Sequence, residues 1–297
     1  MTPSRLPSGT TSPSQHALAV TESGPVDAPV IVLVHGGMDR ASSLRRVARS
    51  LSDDFLVVIY DRRGYGRSRL LGGPYGISQQ VDDLVSVLAR RPAVVFGHSL
   101  GGNIALAAAD RHPGLVRAVG AYEAPMSWEP WWPVNTAGSE AVLLAAEQSP
   151  EVAGATFVRR MIGDRRWDRL PSATRAEREA EGVALVGELD DLRRAPPYDP
   201  ARIAVPILLA YGERGAQHHR HGAAVLSRRF GVGEPASQAV LVEVPGVGHG
   251  IHLEEPEALG DLVRSLAERV HVPAGPPERP DPTIGPSAGP DEALRGP

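Results

Sequence analysis

A serine set between glycines marks where this chain could carry out nucleophilic chemistry: Gly97-His98-Ser99-Leu100-Gly101-Gly102. An apolar run at 93–96 precedes it, and a stretch of strong helix formers at 103–109 follows. A G-x-S-x-G sequence at such a handover has the pattern of a nucleophile elbow. Small flanking residues allow a tight, strained turn that projects the Ser hydroxyl above a sheet. The same turn leaves the N–H of Leu100 at the start of a helix, where it can stabilise an oxyanion. A plain Gly-rich turn between strand and helix would read alike locally, so the neighbouring segments decide.

Those segments alternate. Apolar, β-branched runs at 29–34, 55–60, 93–96, 115–121, 205–211 and 239–244 predict strands, and their unbroken apolar character predicts burial on both faces of a parallel sheet. Helical spacing of apolar residues appears at 41–51, 78–88 and after the elbow, and a last helix runs over 256–270 with Pro256 at its first position. The rhythm breaks between Pro125 and Pro200, where three tryptophans lie close together among Pro-rich and amphipathic stretches such as 139–147. The pattern predicts an α/β fold: a doubly wound, mostly parallel sheet with an inserted helical cap. The core covers 17–124 and 201–272 and the cap 125–200. The Ser/Thr/Pro-rich residues 1–16 and the Pro/Gly-rich residues 273–297 read as disordered tails.

Four further segments occur in an order that resembles the α/β-hydrolase fold family across roughly residues 17–271. His35-Gly36-Gly37 closes the first buried strand, where the family keeps a turn whose amide completes an oxyanion hole. The resemblance therefore implies Gly37 as the second donor, with Met38 as the alternative. Asp61-Arg62-Arg63-Gly64-Tyr65-Gly66-Arg67-Ser68 is similar to the family's D-x-R-G-x-G-x-S loop, which buttresses the elbow. The segment from Val247 to Pro256 resembles the one that carries the general base and implies His249 in that role, with His252 as competitor. An imidazole is needed because a Ser hydroxyl is a poor nucleophile until its proton is taken as it attacks. His35 and His98 are expected to hold their turns by hydrogen bonds.

The acid departs from the common pattern. Most members have G-x-x-D after the strand ending at Tyr211, but this chain reads Gly212-Glu213-Arg214-Gly215. Two carboxylates remain: Glu123, directly after the strand that follows the elbow helix, and Glu213, on the usual loop but two residues early. Glu123 is preferred, its bland alternative being an ion pair that anchors the cap. Met126, Trp128, Trp131 and Trp132 follow at once and suit an apolar wall over Ser99. Residues 217–221 hold three histidines without a carboxylate at ligand spacing, so a solvated loop is expected there, with no metal and no cofactor. The arginines at 159, 160, 165, 166, 169, 175 and 178 read as exposed helix faces.

The resemblance implies a cofactor-independent serine hydrolase that cleaves a carboxylic ester or related acyl bond of a small, partly apolar molecule. Carbon–carbon bond hydrolase, lactonase, thioesterase, acyltransferase and perhydrolase-like haloperoxidase share these residues, and a hydrolase-like binding protein is a further reading. Composition agrees with a soluble enzyme: 297 residues, 42% hydrophobic, 22% charged and a net charge of −4 give no reason to expect nucleic acid or a membrane as partner. The chain has no cysteine and no basic-then-apolar N-terminal signal, so a reducing, cytoplasmic setting is expected.

Overall fold

The computed structural model describes residues 17–234 and 237–270. Both expected tails, 1–16 and 273–297, lie outside the described residues. Seven strands form one sheet: β1 (Ala19–Ser23), β2 (Val30–Val34), β3 (Leu56–Asp61), β4 (Ala93–His98), β5 (Val116–Tyr122), β6 (Ile207–Gly212) and β7 (Ala239–Val244). Their order is β1-β3-β2-β4-β5-β6-β7, with every pair parallel except β1 against β3. This is the α/β-hydrolase fold, with the six strands read from apolar runs in their places. Only β1 escaped the sequence reading. Its residues, AVTES, are mostly exposed on the outer edge, so no hydrophobic alternation announces it.

The continuous apolar runs have a simple cause. Val32, Val58 and Val95 enter one core cluster, while Ile31, Val57 and Val94 enter the other. Successive side chains point to opposite faces, and both faces are covered by helices, so neither parity can be polar. Each such residue, fully buried, contributes about 1.5–3 kcal/mol. One face carries α1 (Arg45–Leu51), preceded by a 3₁₀ turn at Ala41–Leu44; the other carries α2 (Ile77–Leu88) and α3 (Leu100–Arg111).

Between β5 and β6 come five helices: α4 (Ala137–Glu147), α5 (Pro150–Ile162), α6 (Asp164–Asp168), α7 (Ser172–Ala180) and α8 (Gly182–Arg194). Helices α9 (Gln217–Arg229), α10 (Ile251–Glu254) and α11 (Pro256–Glu268) complete the chain, with α11 on the α1 face. In the inserted segment α5 and α8 cross almost backbone to backbone. A Cβ at Gly182 would come within 1.9 Å of the Pro150 carbonyl oxygen, so only glycine fits.

Two buried glutamates tie the inserted helices to the core loops. Glu188 of α8 forms a fully buried ion pair with Arg62 and accepts hydrogen bonds from Tyr65 Oη (2.6 Å) and Gln80 Nε2 (2.8 Å). Burial pushes its carboxyl pKa up even with the guanidinium beside it. Glu181 accepts from Arg40 (2.8 Å), the Gly66 N–H (2.8 Å) and Arg178 (3.1 Å). The D-x-R-G-x-G-x-S loop is thus the socket into which the inserted helices plug. Removing one charge of a buried pair costs far more than the pair contributes, because its partner stays buried and unpaired. Glu188→Gln is therefore expected to lower unfolding free energy by about 3–5 kcal/mol, read as a drop in urea midpoint. A loss below 1 kcal/mol would sink this account.

Candidate active site

Ser99 stands between β4 and α3 with φ 54° and ψ −126°. That is a region L-residues avoid, and the turn can form only because its neighbours lack side chains. A Cβ at Gly97 would lie 2.1 Å from the Gly101 carbonyl oxygen, and one at Gly101 would lie 2.3 Å from that of Val34. Met38 (φ 54°) and Glu123 (φ 48°) share this left-handed strain. Three strained non-glycine residues thus sit at the ends of three neighbouring strands, and such strain persists only where the surrounding fold over-determines it.

Glu123 follows β5 and is buried. Its Oε2 lies 2.6 Å from His249 Nδ1, and its Oε1 accepts the Gly212 N–H at 3.0 Å. Glu213, the other candidate acid, points elsewhere: its carboxylate accepts the Gly246 N–H at 2.7 Å and is exposed. The missing Asp at 215 has a steric reason. A Cβ at Gly215 would come 2.1 Å from Glu123 Oε1, so the space of a side chain there already holds this carboxylate.

The His249 loop is fastened from below. Tyr122 Oη donates to the Gly248 carbonyl (2.7 Å), and His98 Nε2 donates to that of His249 (2.7 Å). Burial holds the His98 pKa well below the ordinary imidazole value, so the ring is neutral; with its proton on Nε2, its buried Nδ1 lacks a partner among the described residues. His252, the competing base, is buried and turned to Asp39 (3.2 Å). His35 holds its own turn. Its Nδ1 donates to the Gly36 carbonyl (2.8 Å) and its Nε2 accepts the Arg62 N–H (3.0 Å), while burial lowers its pKa to about 3.

Ser99, Leu100, Gly37 and His249 line one cavity of about 420 Å³. Gly36 abuts the serine, a Cβ there lying 3.1 Å from that of Ser99. The N–H groups of Leu100 and Gly37 have no acceptor among the described residues. Met38 is buried behind this turn, its carbonyl held by Arg178 at 2.8 Å, and does not reach the wall. Leu185 and Leu189 of α8, Phe157 and Met161 of α5, and Trp132 supply apolar lining.

Three sequence expectations need correction. Of the four pocket candidates only Trp132 lines the cavity. Met126 is fully buried in the core, Trp128 turns to Tyr198, and Trp131 packs on His221. Nearness in sequence to Glu123 did not fix the direction of these side chains. Residues 217–221 are no loop but the first turns of α9, and they bring His218 and His219 into the cavity wall. The His219 ring stacks on His249 (4.8 Å between centroids, 14° between planes), and burial keeps its pKa well below the usual value. Finally, Arg178 is partly buried and does not lie on an exposed face, whereas Arg160 is exposed as expected but also borders the cavity.

Ligating atoms of Glu123, His219 and His249 lie within 4.8 Å of one another, as do those of Asp39, His98 and His252. In each group two members are already joined by the close contact described above, Glu123 to His249 and Asp39 to His252. No helix among the described residues is long and apolar enough to cross a membrane.

Comparison with known proteins agrees with this fold. A sequence profile described as "Alpha/beta hydrolase family" matches residues 31–262. Pimeloyl-[acyl-carrier protein] methyl ester esterase of Chromobacterium violaceum is 29% identical over 262 residues, covering 83% of this chain and 96% of that protein. An uncharacterized hydrolase of Bacillus subtilis is 41% identical over 96 residues, and the chain spans only 35% of its length. Among solved structures, a thermophilic esterase from Thermogutta terrifontis superposes with a TM-score of 0.67 at 21% identity, covering 86% of this chain and 94% of that one.

Proposed function

Because the chain belongs to the alpha/beta hydrolase family, we propose that this hydrolase is a serine enzyme cleaving a carboxylic ester of a small, partly apolar substrate through an acyl-enzyme. The observation that carries the reading is the Glu123–His249 contact at 2.6 Å beside a strained Ser99 in one cavity. His249 takes the Ser99 proton as Oγ attacks the carbonyl carbon. Glu123 holds the Nδ1–H tautomer and stabilises the imidazolium that forms. The amides of Leu100 and Gly37 receive the developing oxyanion. His249 then protonates the leaving alcohol, and a water that it activates releases the acid. Residues 125–200 act as a helical cap that walls the cavity.

The similarity to pimeloyl-[acyl-carrier protein] methyl ester esterase over most of both chains favours an ester over the other bonds this site type can cleave. A fluorophosphonate probe tests the proposal. One equivalent should couple, and peptide mass analysis should locate it on Ser99. A chain that stays unlabelled, or is labelled elsewhere, would reject the serine mechanism and favour a ligand-binding role.

A further inference from the structure

Leu185, Leu189 and Arg193 recur at every fourth residue of α8, and all three line the cavity. Leu185 marks its reactive end, since a Cβ on Gly37 would meet Leu185 Cδ1 at 3.1 Å. Eight residues of helix rise about 12 Å, and the Arg193 guanidinium reaches back to the Leu189 carbonyl at 3.1 Å, so its charge stands between one and two turns from Leu185.

Arg193 is a half-buried cation that forms no ion pair among the described residues. The other cavity arginine, Arg160, is neutralised by Glu140 at 2.6 Å. A guanidinium has five N–H donors. Two of them are used, from Nη1 to the Leu189 carbonyl (3.1 Å) and from Nη2 to Ser139 Oγ (3.2 Å). Both bonds anchor the fork without neutralising it. Burial pulls its pKa down, and Asp190 offsets this only in part. Half-burying an unpaired charge is costly, which makes sense where an anion is to be bound. Ala137 and Gly138, at the N-terminal end of α4, line the cavity too and add positive potential.

We propose that this end of the cavity is an anion subsite, and that the preferred substrate is an ester carrying a carboxylate at the far end of an alkyl chain, up to about seven C–C bonds from the scissile carbonyl. The Phe157 and Met161 side chains would cover the alkyl stretch between the two ends. The helix spacing sets the upper limit of the chain length. Seven C–C bonds extend about 9 Å and a hydrogen bond adds about 3 Å. This inference rests on the reading of Ser99 as nucleophile.

Mono-p-nitrophenyl suberate and p-nitrophenyl octanoate, of equal chain length, provide the test. The charged ester should have the higher kcat/KM, by tenfold or more, mainly through KM. Arg193→Gln should cut that ratio at least tenfold by raising KM for the charged ester, and Arg193→Lys should restore part of it. Preference for the neutral ester, or a ratio unchanged in Arg193→Gln, overturns the subsite. If neither ester is turned over, calorimetry with suberate itself decides. Binding weakened tenfold in Arg193→Gln would sustain the subsite while removing the serine mechanism, and binding indifferent to Arg193 would remove the subsite.

Discussion

Ser99→Ala is expected to lower kcat toward a short p-nitrophenyl ester by on the order of 10⁴-fold, with KM little changed. The variant keeps the cavity, both oxyanion amides and the His249–Glu123 pair, so binding and polarisation persist while the attacking atom is gone. A residual rate above that of free solution should remain for this reason. The fold should not notice the change, because alanine at φ 54° bears the same strain as serine. Ser99→Gly separates the two effects. Glycine enters this region freely, so that variant should be equally inactive yet more stable by about 0.5–1 kcal/mol, the serine's conformational strain outweighing glycine's greater backbone freedom when unfolded. Stopped assays and thermal melts on the pair check both halves. A Ser99→Ala enzyme within tenfold of the parent would end the nucleophile assignment.

Glu123→Gln should cost on the order of 10³–10⁴ in kcat, because an amide neither fixes the Nδ1–H tautomer of His249 nor stabilises its imidazolium. Glu213→Gln should change kcat by less than about threefold, since that side chain only braces the exposed Gly246 turn. Equal losses in the two variants would contradict the geometry. The steric relation to residue 215 extends the prediction. Gly215→Asp alone should be inactive, its Cβ colliding with Glu123 Oε1 at 2.1 Å. Combined with Glu123→Ala the same aspartate gains the vacated space, leaving a 2.9 Å approach to the Gly212 carbonyl as its tightest contact. The double variant should recover part of the activity lost in Glu123→Ala. No recovery in a well-folded double variant would show that the loop cannot carry the acid.

Much of this was legible before any coordinates. Alternating apolar runs announced six of seven strands, because a residue pair pointing to two covered faces must both be apolar. The elbow could be read because its glycines meet backbone atoms, leaving no other residue possible at Gly97 and Gly101. β1 could not be read, because an exposed edge strand is ordered by ladder hydrogen bonds that any side chain permits. The helical setting of the histidines at 218 and 219 leaves no mark in the sequence for a related reason. Their helix has only a few buried residues, Gly222, Ala223 and Leu226, too sparse a stripe to signal helical period.

By itself, then, the chain specified the sheet, the strained serine turn and the imidazole loop after β7, since each depends on local sterics and on burial that leaves a mark in residue type. Tertiary structure alone decided which carboxylate faces His249, which aromatic rings reach the cavity and which arginine is left unpaired beside it. Those are outcomes of direction and distance between segments far apart in sequence. A glutamate reads the same whether it meets an imidazole or a turn amide, and only packing tells Glu123 from Glu213.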